Sequence, residues 1–290
     1  MNSVYYDIKR RGGIAATFEL LRDGHTSHQL TRAVRGGAIL RVRQGHYACP
    51  EVSEPEQQAV RVGGRLTGIT GARWHGIWTP PSSELDVVVP PHARALRSPT
   101  DKSVRLADCE RPSVLVGWSD TGFNGTRSVV DPLSCLDVIV RTQPDIVAFA
   151  AVESALNKGL ITLTAWHRYA RMIPRRKTGQ LGAVNRVSES GGESLAKFHL
   201  LELGIRITQQ VKVPGVGRVD FLIGNALVIE ADGAQFHTSR SSFEEDRRRD
   251  AMLSSLGYRV LRFSYTQISR RWPEVESAIL AAIARGDHLR

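Results

Sequence analysis

Along the first fifty residues the apolar positions recur three times with a helical period and then alternate. Val4 to Arg11 reads as a short helix ended by Gly12-Gly13, and Thr17 to Arg22 as a second stopped by Asp23-Gly24. In the third, Thr26 to Arg35, Thr26 caps the start, Leu30, Ala33 and Val34 form the apolar stripe, and Gly36-Gly37 ends it. Ala38 to Arg43, a turn at Gln44-Gly45 and His46 to Ala48 then alternate as a β-hairpin does.

From 51 to 185 the pattern is less regular. Glu51 to Gln58 reads as a Pro/Glu linker, Leu66 to Ile77 as helical, and Leu85 to Val89 as an apolar strand before Pro90-Pro91. Ser113 to Trp118 and Ser128 to Val130 are further strand candidates, followed by helical stretches over Leu133 to Arg141, Ile146 to Leu156 and Thr164 to Met172. Trp74, His75 and Trp78 read as packing residues, since nothing nearby completes a ligand cage. Arg171, Arg175, Arg176 and Lys177 form a basic cluster that is either a DNA-touching linker or a solvated charge run.

The last hundred residues are the most legible. Ser190-Gly191-Gly192-Glu193 opens a helix ending at Gly204, with Leu195, Ala196, Phe198, Leu200 and Leu203 as its buried positions. Arg206 to Val213, Gly217 to Ile223 and Ala226 to Ala231 follow as strands, with turns at Pro214-Gly215 and Gly224-Asn225. A helix starting at a Ser242/Glu245 capping box runs to Gly257, Tyr258 to Ser264 is a fourth strand, and Pro273 to Ala284 a closing helix. The order α-β-β-β-α-β-α predicts a small mixed sheet with helices on its faces, so the fold class is α/β (α+β). Three domains are expected: 1–50, 51–185 and 186–290.

Composition narrows the function classes. The 290 residues are 41% hydrophobic and 23% charged, ordinary for a globular chain. No run approaches the roughly 18 apolar residues of a membrane span, and no apolar run follows the polar, basic stretch at Met1 to Gly13, so neither a spanning helix nor a secretory signal is expected. The three cysteines, Cys49, Cys109 and Cys135, are isolated, which excludes a disulfide scaffold and a CxxC zinc site.

Charge adds a partner. Thirty-nine Lys and Arg against 29 Asp and Glu give +10, the usual footprint of a chain that meets polyanions. Only six of those cations are lysine; a GC-rich genome explains the arginine preference but not the net excess. Residues 1–47 hold eight Lys or Arg against Asp7, Glu19 and Asp23, half the chain's excess in about a sixth of its length.

Three helices and a basic hairpin are the layout of a winged helix-turn-helix. Its third helix would offer His28, Gln29, Arg32 and Arg35 to the major groove, while Arg41 and Arg43 on the wing would reach phosphates. The plainer alternative is a small helical domain with a solvated basic face. Through the run Leu30 to Tyr47 (LTRAVRGGAILRVRQGHY) this segment resembles the N-terminal domain of AbiEi-type antitoxins. That resemblance implies operator-DNA binding.

Candidate chemistry lies near the other end. Asp220 sits inside a strand, between Val219 and Phe221, and Glu230 and Asp232 punctuate the end of the apolar run Leu227 to Ala231. Buried carboxylates are costly unless paired or bound to a cation, so several converging at a sheet end suggest a divalent-metal site. The geometry turns on parity. An odd-numbered loop at 224–226 puts Asp220 and Glu230 on one face, and a two-residue turn puts them on opposite faces. Glu193, reaching in from the helix, would complete an oxygen cage for Mg²⁺ or Mn²⁺, with the Ala231 main-chain carbonyl as a further ligand. An acid in a first helical turn is also favoured by the dipole alone. Arg247, Arg248 and Arg249 cannot share one helix face. Arg248 is the candidate for phosphate, an Asp246–Arg249 pair is the simpler reading of that couple, and Arg262 is a candidate charge partner or phosphate clamp.

The runs VDF at 219–221, VIEADGAQFH at 228–237, DRRR at 246–249 and LGYRVLRF at 256–263 resemble the Vsr-like branch of the PD-(D/E)XK nucleases. The resemblance implies a restriction-endonuclease-like fold and Mg²⁺-dependent hydrolysis of DNA phosphodiesters. It matches Asp220 and Glu230 to the metal-binding acids, Glu193 to the helix acid, and His237 to a histidine of acid/base chemistry. The superfamily's lysine is replaced by Asp232, so its role would pass to His237, Gln235 or an arginine.

Together these readings predict a metal-dependent DNA endonuclease aimed by a winged-helix head. The rival reading is a DNA-binding regulator with a silent nuclease fold, and an RNase-type toxin comes third. Double-stranded DNA is the expected partner and a membrane is not. The site of action would be cytoplasmic, with a homodimer one open assembly.

Overall fold

The computed structural model describes residues 3–110, 113–119, 124–173, 179–232 and 240–289, with 240–243 and 246 described by backbone alone. Two compact units divide the chain: Met1–Gly76 with Pro80–Thr142, and Ile77–Thr79 with Gln143–Arg290. Among the described residues no helix is long and apolar enough to cross a membrane.

The first unit begins with α1 (Ser3–Arg10), β1 (Ile14–Ala16), α2 (Thr17–Arg22), α3 (Ser27–Arg35), β2 (Leu40–Arg43) and β3 (His46–Ala48). The strands form an antiparallel sheet in the order β1-β3-β2 around a core of Val4, Ile8, Leu20, Leu30 and Ile39. α3 starts where its cap predicts: Thr26 Oγ1 accepts from the Gln29 backbone N–H at 3.2 Å, and Gln29 Oε1 accepts from the Thr26 backbone N–H at 2.7 Å. β1 is absent from the sequence pattern because three residues are too few to display a period.

The unit continues with α4 (Glu54–Val62), β4 (Arg65–Leu66), α5 (Gly68–Trp74), β5 (Leu85–Val89), β6 (Val114–Trp118) and α6 (Pro132–Thr142). β4, β5 and β6 form a second sheet in that order. The stretch read as a linker is the start of a helix. Pro55 occupies the first turn of α4, where a missing N–H costs nothing, and Ala59, Val60 and Val62 are buried. Glu56 is also buried, accepting from Ser53 Oγ at 2.6 Å and Ser128 Oγ at 2.8 Å. The expected strand at Ser128 to Val130 is reduced to isolated bridges from Val129 to Leu66 and from Val130 to Gly125.

The second unit comprises α7 (Asp145–Asn157), α8 (Leu163–Ala170), α9 (Gly191–Glu202), β7 (Ile207–Val213), β8 (Gly217–Ile223), β9 (Leu227–Asp232), α10 (Arg240–Ser255), β10 (Arg259–Ser264), α11 (Tyr265–Arg270) and α12 (Trp272–Ala284). Its sheet runs β10-β9-β8-β7, antiparallel from β7 to β9 and parallel between β9 and β10, with α10 as the crossover. α10 starts two residues before Ser242, so that serine lies within the helix rather than capping it. The basic cluster at Arg175, Arg176 and Lys177 falls outside the described residues.

α9 is buried nearly all round, from Gly191 to Phe198 and at Leu200, because it packs against both α7 and the sheet. Leu203, expected inside, is half-exposed. On one sheet face Phe221, Ile223, Leu227 and Ile229 join Leu195, Leu200 and Ile279 in the main core. On the other, Leu222, Val228 and Val260 pack against Leu253 and Met252 of α10.

Candidate active site

The three-residue loop between β8 and β9 decides which way the acids face. Gly224 has φ +62°, and a Cβ there would stand 2.1 Å from the His288 carbonyl oxygen, so only glycine fits. The register Ile223–Leu227, Leu222–Val228, Phe221–Ile229 places Asp220 opposite Glu230 one step further on. Phe221 and Ile229 point into the main core, so the two carboxylates share the face covered by α10. Asp220 is anchored to the neighbouring strand, its Oδ2 accepting from the Ala231 backbone N–H at 2.9 Å.

Glu193 joins them indirectly. It lies in the first turn of α9, whose cap Ser190 accepts from the Glu193 backbone N–H at 3.1 Å, and its Oε2 accepts from the Glu189 backbone N–H at 3.0 Å. The Gln210 amide of β7 then spans the gap, donating to Glu193 Oε2 at 2.8 Å and Asp220 Oδ1 at 3.3 Å. Gln210 has no counterpart in the sequence reading.

Two arginines answer this negative charge. Arg249 Nη2 stands 3.5 Å from Glu230 Oε1 and donates to the Arg218 carbonyl oxygen at 2.9 Å. Arg262, paired with Glu230 across the parallel strands, holds Asp250 at 2.6 Å and lies 3.9 Å from Asp232. Arg262 is thus a charge partner of the acids. Arg248 is exposed and pairs with Glu245 at 2.5 Å. The side chain of Asp246, and the whole of Gln235 and His237, lie outside the described residues.

The acids are under-compensated. Glu230 is 8% exposed, and burial together with the Asp220 charge pushes its carboxyl up to about 7. Burial also raises Asp220 and Glu193, against the hydrogen bonds that favour their ionised forms. Among the described residues Glu230 Oε1 is buried and accepts no hydrogen bond. An oxygen that lacks a hydrogen bond, with the Arg249 guanidinium 3.5 Å away and other carboxylate oxygens close by, suits a hard divalent cation. Among the described residues, however, no three His, Cys, Asp or Glu side chains are already gathered as a cage.

A pH dependence follows. Between pH 4.5 and about 7 the folded chain keeps a proton on Glu230 that the unfolded chain has released. The metal-free protein is therefore expected to lose stability as pH rises across that window. Thermal melts in a chelator should show a shallower decline for Glu230→Gln; parallel curves would contradict the assignment.

In the first unit, His28, Gln29, Arg32 and Arg35 are exposed on α3 and Arg41 on β2, although the Gln29 amide is engaged in the helix cap. Arg43 is half-buried, and a Cβ on Gly63 would meet its guanidinium. Burial lowers its pKa, with Arg97 adding to the effect.

Part of the second unit is similar to a known family. Residues 193–283 match the family model REase_MTES_1575. The match takes in Glu193, Asp220, Glu230 and Arg249, so this part of the chain is similar to restriction-endonuclease-like domains. Among solved structures, the catalytic domain of the homing endonuclease I-Bth0305I is similar at 28% identity, over 31% of this chain and 89% of that one, with a TM-score of 0.28. No curated protein matches.

Proposed function

We propose that the protein is a metal-dependent DNA endonuclease of the Vsr-like kind, directed to duplex DNA by a winged-helix head. The observation behind it is that Asp220 and Glu230 lie side by side on one sheet face within the matched segment, and that Glu230 Oε1 is buried and accepts no hydrogen bond among the described residues. Asp220, Glu230 and the Ala231 carbonyl would hold Mg²⁺ or Mn²⁺, with Glu193 alongside. A magnesium site of two carboxylates commonly keeps several waters, so it needs no preassembled protein cage. Bound there, the ion would supply Lewis acidity to a scissile phosphate and lower the pKa of an attacking water.

The chain's own groups do the rest. Asp220 is held in place by the Ala231 N–H, and Arg249 and Arg262 balance charge beside Glu230. His237 and Gln235 are the proposed proton carrier and water-orienting group, taking over the role of the missing lysine. Incubating supercoiled plasmid with the protein and Mg²⁺ or Mn²⁺ tests the reading. Nicking or linearisation that a chelator abolishes is expected; intact plasmid under every metal would overturn it.

The head rests on element order. α1, β1, α2, α3, β2 and β3, with the sheet arranged β1-β3-β2, support a winged helix whose α3 meets the major groove. Arg32, Arg35 and Arg41 are the proposed phosphate or base contacts. Duplex affinity should fall steeply with salt. Arg35→Ala, if that residue meets a phosphate, should reduce the log–log slope by about 1. An unchanged slope in Arg32→Ala, Arg35→Ala and Arg41→Ala would remove DNA from this face.

A second reading keeps the fold and drops the chemistry: a DNA-binding regulator of the AbiEi kind. Asp232 in the lysine position favours it. Duplex binding without cleavage in any metal would select it.

A further inference from the structure

One residue of the sheet pays a conformational cost that its fold does not demand. Gln210 has φ +51°, the left-handed region that a non-glycine residue rarely enters, in the middle of β7. The pairs on either side, Gln209 with Phe221 and Val211 with Val219, put it opposite Asp220. Nothing in the hairpin requires this: the turn to β8 is four residues away, at Pro214 to Val216.

The side chain supplies the reason. Asp220 and Glu193 belong to different elements, a strand and a helix terminus, and both carboxylates are acceptors when ionised. Between them stands a group with two donor hydrogens and no charge of its own, the Gln210 amide, at 2.8 Å and 3.3 Å. Its neighbour Gln209 points elsewhere, donating to Ser188 Oγ at 3.1 Å and accepting from Asn185 Nδ2 at 2.9 Å. Strained backbone of this sort persists where the surroundings over-determine it, and it gathers at functional sites.

We propose that Gln210 is a positioning residue: its left-handed backbone holds one amide between Glu193 and Asp220 and so fixes the helix acid against the strand acid that receives the metal. The proposal rests on the nuclease reading for its purpose but not for its geometry. It predicts that stability and function move in opposite directions. Gln210→Gly relieves the backbone and deletes the clamp, whereas a residue with a merely structural role would lose stability when truncated.

The test compares wild type, Gln210→Gly and Gln210→Asn. Metal-free melting, Mn²⁺ affinity by titration and crystal structures are the readouts. Gln210→Gly should melt no lower than wild type, bind Mn²⁺ at least tenfold more weakly, and show the Glu193 carboxylate moved away from Asp220. Gln210→Asn, with the same amide on a shorter arm, should recover part of the affinity. A lower melting temperature with Mn²⁺ affinity unchanged, or the Glu193 and Asp220 side chains unmoved in the Gly variant, would overturn the proposal. If wild type binds no Mn²⁺ and cuts no plasmid, the nuclease reading fails, and the positions of Glu193 and Asp220 in the variant still decide the role of Gln210.

Discussion

Asp220→Asn and Glu230→Gln should each lower metal-dependent plasmid cleavage at least about 100-fold, the scale on which removing one electrostatic contact to a transition state is felt. Both replacements keep the shape of the side chain. In Asp220→Asn the new amide oxygen can still accept from the Ala231 N–H, so the strand pairing should survive. Glu230→Gln removes a charge that is buried, crowded by Asp220 and incompletely bonded, so its metal-free melting temperature should not fall. Lost cleavage with an intact fold is the signature of a ligand. Single-turnover nicking assays beside thermal melts make the comparison, and cleavage within a few-fold of wild type in either variant would contradict the role.

The second large effect concerns the support of α9, which carries Glu193. Lys197 lies one turn further along that helix, 3% exposed, with its ammonium 2.5 Å from Glu153 Oε1 of α7. Glu153 is wholly buried and also accepts from Ser188 Oγ at 2.7 Å, Ser194 Oγ at 2.9 Å and the Asn185 N–H at 3.0 Å. Burial pulls the Lys197 pKa down, and Glu153 opposes that shift. Removing one partner strands a charge, so Lys197→Met should cost about 3–5 kcal/mol. Converting both, as Lys197→Met with Glu153→Gln, should restore much of the loss. Urea denaturation measures both variants; a loss under about 1 kcal/mol for Lys197→Met would show that the pair does not bear on stability.

These two sites differ in how far the sequence exposes them. Asp220 and Glu230 are legible as candidates because a strand that is otherwise apolar makes an acid conspicuous, whereas the parity of the loop stays open in the sequence and is fixed by the observed strand ends at Ile223 and Leu227. α3 is legible because a capping threonine and a glycine bracket its apolar stripe. Lys197 and Glu153 stand 44 residues apart, and each reads alone as an ordinary helix-surface charge. A solitary acid in the apolar run of α7 is the one sign of its burial that the sequence carries.

Gln210 is invisible for a different reason: a left-handed glutamine leaves no mark on hydrophobic periodicity, which predicts an unbroken strand. α4 is hidden because Pro55 breaks a helix interior but is welcome in a first turn, and hydrophobic pattern does not mark where that turn begins. α11 is only six residues long and follows β10 directly, so its single buried Ile268 cannot announce a separate helix. Arg249 is the instructive case among the charges. The sequence offers it Asp246 as a local pair, and only the fold shows that it also stands beside Glu230 from another element.

Asp220 and Glu230 are proposed to receive one divalent cation. Crystals soaked in Mn²⁺, with diffraction recorded for the manganese anomalous signal, examine it without relying on catalysis. A peak among the two carboxylates and the Ala231 carbonyl is expected, lost in Glu230→Gln. A fully soaked crystal with no anomalous peak between those side chains would contradict it.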